Sequence, residues 1–242
     1  MKIIADTHVH TIASEHAFST VLENHAAAKK KGLRFLAVTD HTGKMPGAPT
    51  DTYFFGLKNS LPREYDGVYL LRGCEANILD EHGTLDLLDA LLDRLEWVIA
   101  SVHGLLMPPM NKEKNTEMWL NVARNPRVDV IGHCADADSP FDYERVIAEF
   151  AKQGKIVEIN ASKCPPGTKY EACWIEVARL CAKYRVPLVL SSDAHFAPDV
   201  GNVENAINII QKAEVPEELI LNADTARFAK KLSEMTGKAY TE

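Results

Sequence analysis

KIIADTHVH, Lys2–His10, is an apolar run that turns abruptly into two histidines separated by one residue. The pattern returns in FLAVTDH (Phe35–His41), WVIASVH (Trp97–His103), VDVIGH (Val128–His133) and PLVLSSDAH (Pro187–His195). Short β-branched apolar runs of this length read as strands buried on both faces, which is how strands of a parallel sheet read. VYLLRGCEAN (Val68–Asn77) and IVEIN (Ile156–Asn160) belong to the same class. Expected strands are therefore Lys2–His8, Phe35–His41, Val68–Asn77, Trp97–His103, Val128–His133, Ile156–Asn160 and Pro187–Asp193, seven in all.

Helical patterns fill the intervals. Thr20 followed by Glu23 forms a capping-box signature, and Gly32 stands where a helix stop belongs. Asp142–Gln153 repeats the plan, with apolar Val146, Ile147 and Phe150 before Gly154. Gly201 and Asn202 introduce an amphipathic stretch through Ile209, and Asp224–Thr236 reads as a last helix. Strands alternating with helices imply βαβ units. Seven units without a break in composition point to one α/β domain over residues 1–242, a closed or nearly closed barrel, with an open doubly wound sheet as the competitor. Three long connections, Thr42–Glu64, Gly104–Asn115 and Ala161–Tyr170, all follow strand C-termini, the end that carries the active site in parallel barrels. They read as irregular binding loops.

The 242 residues carry a net charge of -7, with a pI near 5.7, which disfavours a sequence-blind nucleic-acid binder. No run of apolar residues is long enough for a membrane span, and the N-terminus lacks a signal-peptide core. Cys74, Cys134, Cys164, Cys173 and Cys181 form no CxxC pair and read as buried small hydrophobes in a reducing, cytoplasmic setting.

Of nine histidines, seven sit at or just beyond a strand end: His8, His10, His16, His41, His103, His133 and His195. His25 and His82 read as solvated surface residues. A lone histidine at a strand end is ordinarily just hydrogen-bonded. Seven at one end of one sheet converge, and unligated they would repel when protonated or lack partners when neutral. A metal removes both problems, and neutral imidazole is its commonest ligand. Glu75 in LRGCEAN and Asp193 in LSSDAH add carboxylates, and the period of two puts His8 with His10, and Asp193 with His195, on common faces. Nine candidate ligands exceed the four a tetrahedral zinc ion needs. They suit two or three ions, and nitrogen and oxygen donors without thiolate fit zinc, iron or manganese.

DTHVHT (Asp6–Thr11), VTDH (Val38–His41), the Glu75 and His103 segments and SDAH (Ser192–His195) resemble the motifs of the PHP, or polymerase and histidinol phosphatase, superfamily. The match runs from the first strand to the last. HAFST after His16, LRGCEANI and the length are most similar to small YcdX-type bacterial phosphatases. The resemblance implies a distorted (β/α)7 barrel with three divalent ions, zinc first and manganese or iron as alternatives. It implies one ion on His8, His10, Glu75 and Asp193, a second on Glu75, His103 and His133, and a third on His16, His41 and His195. The implied reaction is hydrolysis of a small-molecule phosphate monoester by a metal-bound hydroxide held at Glu75, Asp193 and His195, with inorganic phosphate as product and no serine or cysteine nucleophile.

Around these ligands, Asp6 and Asp40 are expected either to orient an imidazole or to cap a turn. Arg72 points away from Glu75 by strand alternation, which favours a structural pairing over a role beside the ligands. Lys44, Arg63 and Lys163 on the long loops are candidate substrate anion binders. Tyr53, Phe54 and Phe55 form either an apolar lid or packing on the rim. Rival functions are a histidinol-phosphate phosphatase, a nuclease and a non-catalytic metal-binding module. The acidic charge and the lack of a basic aromatic groove count against the nuclease, and the complete ligand set counts against the module. Amidohydrolases also begin with HxH, but VTDH and Glu75 favour the PHP reading.

Overall fold

Seven parallel strands follow one another around a common axis in chain order, each succeeded by helical structure that returns outside. The computed structural model describes residues 1–108 and 110–241. Its strands are β1 (Ala5–Asp6), β2 (Phe35–Val38), β3 (Glu64–Tyr65), β4 (Val68–Asn77), β5 (Trp97–Ser101), β6 (Val130–Ile131), β7 (Ile156–Asn160) and β8 (Leu188–Ser191). Its α-helices are α1 (Val21–Lys31), α2 (Asp51–Ser60), α3 (Asp89–Leu92), α4 (Lys112–Arg124), α5 (Tyr143–Lys152), α6 (Lys169–Tyr184), α7 (Glu204–Lys212) and α8 (Thr225–Thr236). The order β1-β2-β4-β5-β6-β7-β8 never reverses, so this is a nearly closed, distorted (β/α)7 barrel and not a doubly wound sheet. Among the described residues no helix is long and apolar enough to cross a membrane.

The helix signals act as read. Thr20 and Glu23 form a reciprocal capping box on α1, and Gly32 closes it at φ +75°, where a Cβ would be strained. Asp142 and Asp224 cap α5 and α8 with their side chains. The first long connection departs from expectation. It contains α2 and then β3, an antiparallel arm on β4. Thus Thr42–Glu64 starts at the barrel's upper rim and ends at its base. His25 also departs: it is buried, with Nε2 2.8 Å from the Tyr65 carbonyl. His82 is exposed, as expected.

Along the strands, one face changes character from bottom to top. Phe35, Ala37, Leu71, Trp97, Ile99, Val130, Ile156 and Val189 fill the lower interior, and α8 plugs it with Phe228 and Leu232. Continuing two residues at a time up β4, β5 and β7 leads to Glu75, His103 and Glu158. The apolar base supplies the burial energy, and the upper layer is left for polar groups.

The β1–β8 seam is closed without a full ladder. Above, Val9 bridges Ala194. Below, the Asn222 side chain stands in for a strand: Nδ2 donates to Ala5 O at 2.9 Å and Leu190 O at 2.7 Å, and Oδ1 accepts from Leu190 N at 3.1 Å. Asn222 is fully buried, so Asn222→Ala leaves three backbone groups without partners. At about 1 kcal/mol or more each, the loss is about 3 kcal/mol. Scanning calorimetry is expected to show a melting temperature lower by about 6–12 °C, and an unchanged value would refute this account of the seam.

Candidate metal centre

The upper ends of the strands leave their ladders early, and this aims the histidines. After β1, Val9 N donates to the Thr39 hydroxyl at 2.9 Å, and Thr39 N donates back to Val9 O. His8 and His10 then turn fully buried into the barrel mouth. After β6 and β8, His133 (φ +23°) and Asp193 (φ +57°) adopt left-handed backbone that non-glycine residues avoid. Two such residues at one site mark positions held by their surroundings.

Glu75 lies at the middle. Its Oε1 is 2.8 Å from His133 Nε2 and 3.2 Å from His103 Nε2. Its Oε2 is 2.8 Å from His41 Nδ1, 3.3 Å from His8 Nε2 and 3.5 Å from His10 Nε2. Asp193 Oδ1 lies 3.1 Å from His10 Nε2 and 3.6 Å from His8 Nε2. His16 Nε2 is 3.2 Å from His41 Nε2, and the His16 and His195 rings are 4.9 Å apart. The nine residues expected from the sequence therefore lie together. Three sets present donor atoms within 4.8 Å of one another: His8, His10 and Glu75; His41, Glu75 and His103; and His10, His41 and His195. His41 is thus near Glu75 as well as His16.

Second partners fix the rings. His8 Nδ1 lies 2.7 Å from Glu158 Oε1, His103 Nδ1 lies 2.7 Å from Asn77 Oδ1, and His195 Nδ1 lies 2.9 Å from the Asp193 carbonyl. Each partner is an acceptor, because the Asn77 amide nitrogen is already given to Thr42 O and Asp86 Oδ2. With Nδ1 of each ring committed to an acceptor, Nε2 is the nitrogen turned inward, the one a metal would take.

The buried carboxylates of this cluster need counter-charge. Glu75, Glu158 and Asp193 are buried, and among the described lysines and arginines only Lys163, 3.6 Å from Asp193 Oδ2 and half exposed, pairs with any of them. Burial would raise the Glu75 carboxyl, but His8, His103 and His41 hold it well below the usual carboxylate range. Burial pulls His8 down, yet Glu158, Glu75 and Asp193 raise it well above its ordinary value. Burial pushes His10 down to about 3, so it stays neutral. Glu75 Oε2 and His10 Nδ1 are buried without any hydrogen bond. Imidazole nitrogens converging on a charged carboxylate oxygen that has no hydrogen bond could hold divalent ions.

Neighbouring residues sort by what they touch. Asp40 meets no imidazole; it accepts from Thr11 N, the Thr11 and Ser14 hydroxyls and Tyr53 OH, which is the turn-capping alternative. Asp6 accepts from Ser192 N and Oγ and from Gly201 N, anchoring the segment that carries Asp193. Arg72 is paired with Glu96 at the barrel base, away from the ligands. Arg63 is also at the base, 4.7 Å over the Tyr240 ring and bonded to Ala239 O, so it is no substrate contact. Phe54 is buried and Phe55 lies under Arg94, so these aromatics pack the flank and form no lid. Lys44 is exposed on the rim loop. Four of the five cysteines are buried, all are free, and none belongs to the three sets above. Glu158, Asn77 and Asn160 were not expected here; the signal was polar residues at inward positions near the ends of otherwise apolar strands.

A cavity of about 520 Å³ opens beside His103 and His133, walled by Met45, Leu105, Lys163 and Tyr170 from the loops above the barrel. Its size is that of a small-molecule site.

Known proteins agree with this architecture. A probable phosphatase of Thermoanaerobacter sp. (strain X514) is 42% identical over 98% of this chain and 98% of its own length. A probable phosphatase of Photobacterium profundum is 41% identical over 100% of this chain and 98% of its own. The crystal structure of histidinol phosphate phosphatase from Lactococcus lactis, complexed with zinc, L-histidinol and phosphate, superposes with a TM-score of 0.64. It is 18% identical and covers 89% of this chain and 95% of that one, which is a likeness of fold. The PHP domain family model matches residues 6–162, from the first histidine motif into the loop after β7, and the chain belongs to the PHP domain family.

Proposed function

We propose that this protein is a metal-dependent phosphatase that hydrolyses small phosphate monoesters at a trinuclear centre. The observation that carries the reading is Glu75, a buried carboxylate with donor atoms of five imidazoles within 3.5 Å and one oxygen left without a hydrogen bond. Relatives that match along the whole chain are named probable phosphatases. In this reading His8, His10, Glu75 and Asp193 hold one ion, Glu75, His103 and His133 a second, and His16, His41 and His195 a third. Divalent ions so bound neutralise phosphate oxygens and bring the pKa of water to about 7. Zinc, manganese and iron all suit the donor set.

The chain's own groups supply the rest. Asp6 and Asp40 fix the loops that carry Asp193 and His16. The cavity has room for an ester of metabolite size. Lys163 is the basic side chain lining that cavity, and Trp174 Nε1 pins its carbonyl at 3.0 Å. It is placed to receive a phosphate oxygen as a charge-assisted hydrogen bond, worth about 1.5–3 kcal/mol. Lys163→Ala is accordingly expected to raise KM for p-nitrophenyl phosphate by about 10-fold or more while kcat changes by less than about 3-fold. A panel of sugar, nucleotide and amino-alcohol phosphates run beside single-stranded DNA tests the whole reading. Faster cleavage of DNA than of every small ester would overturn it.

A further inference from the structure

Glu158 is the residue of the centre that belongs to no expected ligand set. It sits mid-strand in β7, within IVEIN, fully buried. Four donors converge on it. Oε1 faces His8 Nδ1 at 2.7 Å and accepts from the Ser191 hydroxyl. Oε2 accepts from His133 N at 2.8 Å and from Asn160 Nδ2 at 3.3 Å. A carboxylate has about four lone-pair sites, and here each has a donor.

The two bonds of consequence go to opposite sides of the centre. His8 reaches Glu75 Oε2 at 3.3 Å, and His133 reaches Glu75 Oε1 at 2.8 Å. Their rings lie nearly parallel, 6.1 Å apart. Glu158 holds one by its ring and the other by its backbone amide, at the position where His133 adopts φ +23°. We infer that Glu158 is a positioning residue that sets two ligand groups at once: it locks His8 in the Nδ1–H tautomer with Nε2 free for metal, and it holds the strained His133 turn so that Nε2 meets the same centre. The inference rests on the metal-dependent reading above.

The acceptor-only character of the carboxylate is what makes the lock. Glu158→Gln keeps the size but replaces one oxygen by an NH₂ donor. If that group faces His133 N and Asn160 Nδ2, donors oppose donors and the His133 turn loses its anchor. If it faces His8, the imidazole must accept on Nδ1 and carry its proton on Nε2, where the metal should be. Neither orientation serves both ligands. Ser191→Ala removes a donor that touches no ligand, and is the matched control.

The test uses the full chain, stripped of metal and titrated with Zn²⁺ against a chromophoric chelator. Glu158→Gln is expected to weaken Zn²⁺ binding by about 10–100-fold with the circular dichroism spectrum unchanged, and Ser191→Ala to bind like wild type. Binding by Glu158→Gln within twofold of wild type would overturn the assignment. A second measurement stands even if the variant fails to fold. In the zinc-loaded wild-type protein, ¹⁵N imidazole spectra are expected to show His8 protonated on Nδ1 and coordinated through Nε2. Coordination through Nδ1 would overturn the inference while leaving the metal centre standing. A wild-type protein that takes up none of Zn²⁺, Mn²⁺ and Fe²⁺ would overturn the inference and the metal-dependent reading together.

Discussion

Glu75→Gln is expected to lower kcat/KM for p-nitrophenyl phosphate by at least about 1,000-fold, equivalent to about 4 kcal/mol, and to lose at least one bound ion per chain. Gln has the size of Glu, so the shape of this fully enclosed position is kept. What changes is charge and acceptor count. His133 and His103 meet Oε1, and His41, His8 and His10 meet Oε2, so both oxygens are in use. An amide nitrogen at either place turns a donor toward inward lone pairs and removes the negative charge that would bridge two ions. The variant should remain folded by circular dichroism, since no backbone group depends on the Glu75 carboxylate. His103→Ala tests the same centre from one side: it removes a single nitrogen and should cost metal and turnover while Asn77 and Asp86 stay paired. Unchanged turnover in either variant would sink the mechanism.

The barrel was legible because each strand carries a signal strong enough to stand alone. All seven parallel strands lie inside or on their expected ranges. The overshoot is informative: β1 spans Ala5–Asp6 against an expected Lys2–His8, and β6 spans Val130–Ile131 against Val128–His133. At the upper ends the overshoot, Thr7–His8 and Gly132–His133, falls where the chain turns to aim a histidine. That the nine candidate residues cluster was legible for the same reason, since strand ends converge in a parallel barrel and period-two spacing selects a face.

What stayed hidden depends on long-range geometry. Asn222 closes a seam with Ala5, 217 positions away. Arg63 looked like a rim residue, but its connection descends past α2 into the β3 hairpin and ends at the base, beside Glu96 and the tail. His25 looked exposed because it lies in a helix, away from any strand end, yet the same hairpin covers it. Glu158 sat in an apolar strand with no histidine beside it; only the packing of β1, β6 and β8 around β7 gives it four donors.

Removal of metal is the second large effect. Protein dialysed against a strong chelator is expected to lose at least about 99.9% of its phosphatase activity, about 4 kcal/mol in barrier terms, and to melt at a lower temperature. The stability loss follows from linkage. An ion present at about 100 times its Kd stabilises the folded chain by about 2.7 kcal/mol. In a chain of this size that is about 5–11 °C in melting temperature for each ion lost. Without ions, Glu75, Glu158 and Asp193 share one buried site whose counter-charges are imidazoles and a half-exposed Lys163. His10 cannot help, because burial keeps it neutral down to about pH 3. Adding back Zn²⁺ or Mn²⁺ is therefore expected to restore both activity and melting temperature, and the ion that restores more activity identifies the better catalyst. Glu75→Gln should show a smaller chelator-induced shift, because its centre holds fewer ions to lose. Activity and melting temperature both indifferent to the chelator, with metal content verified as zero, would mean that these histidines are held together by something other than metal.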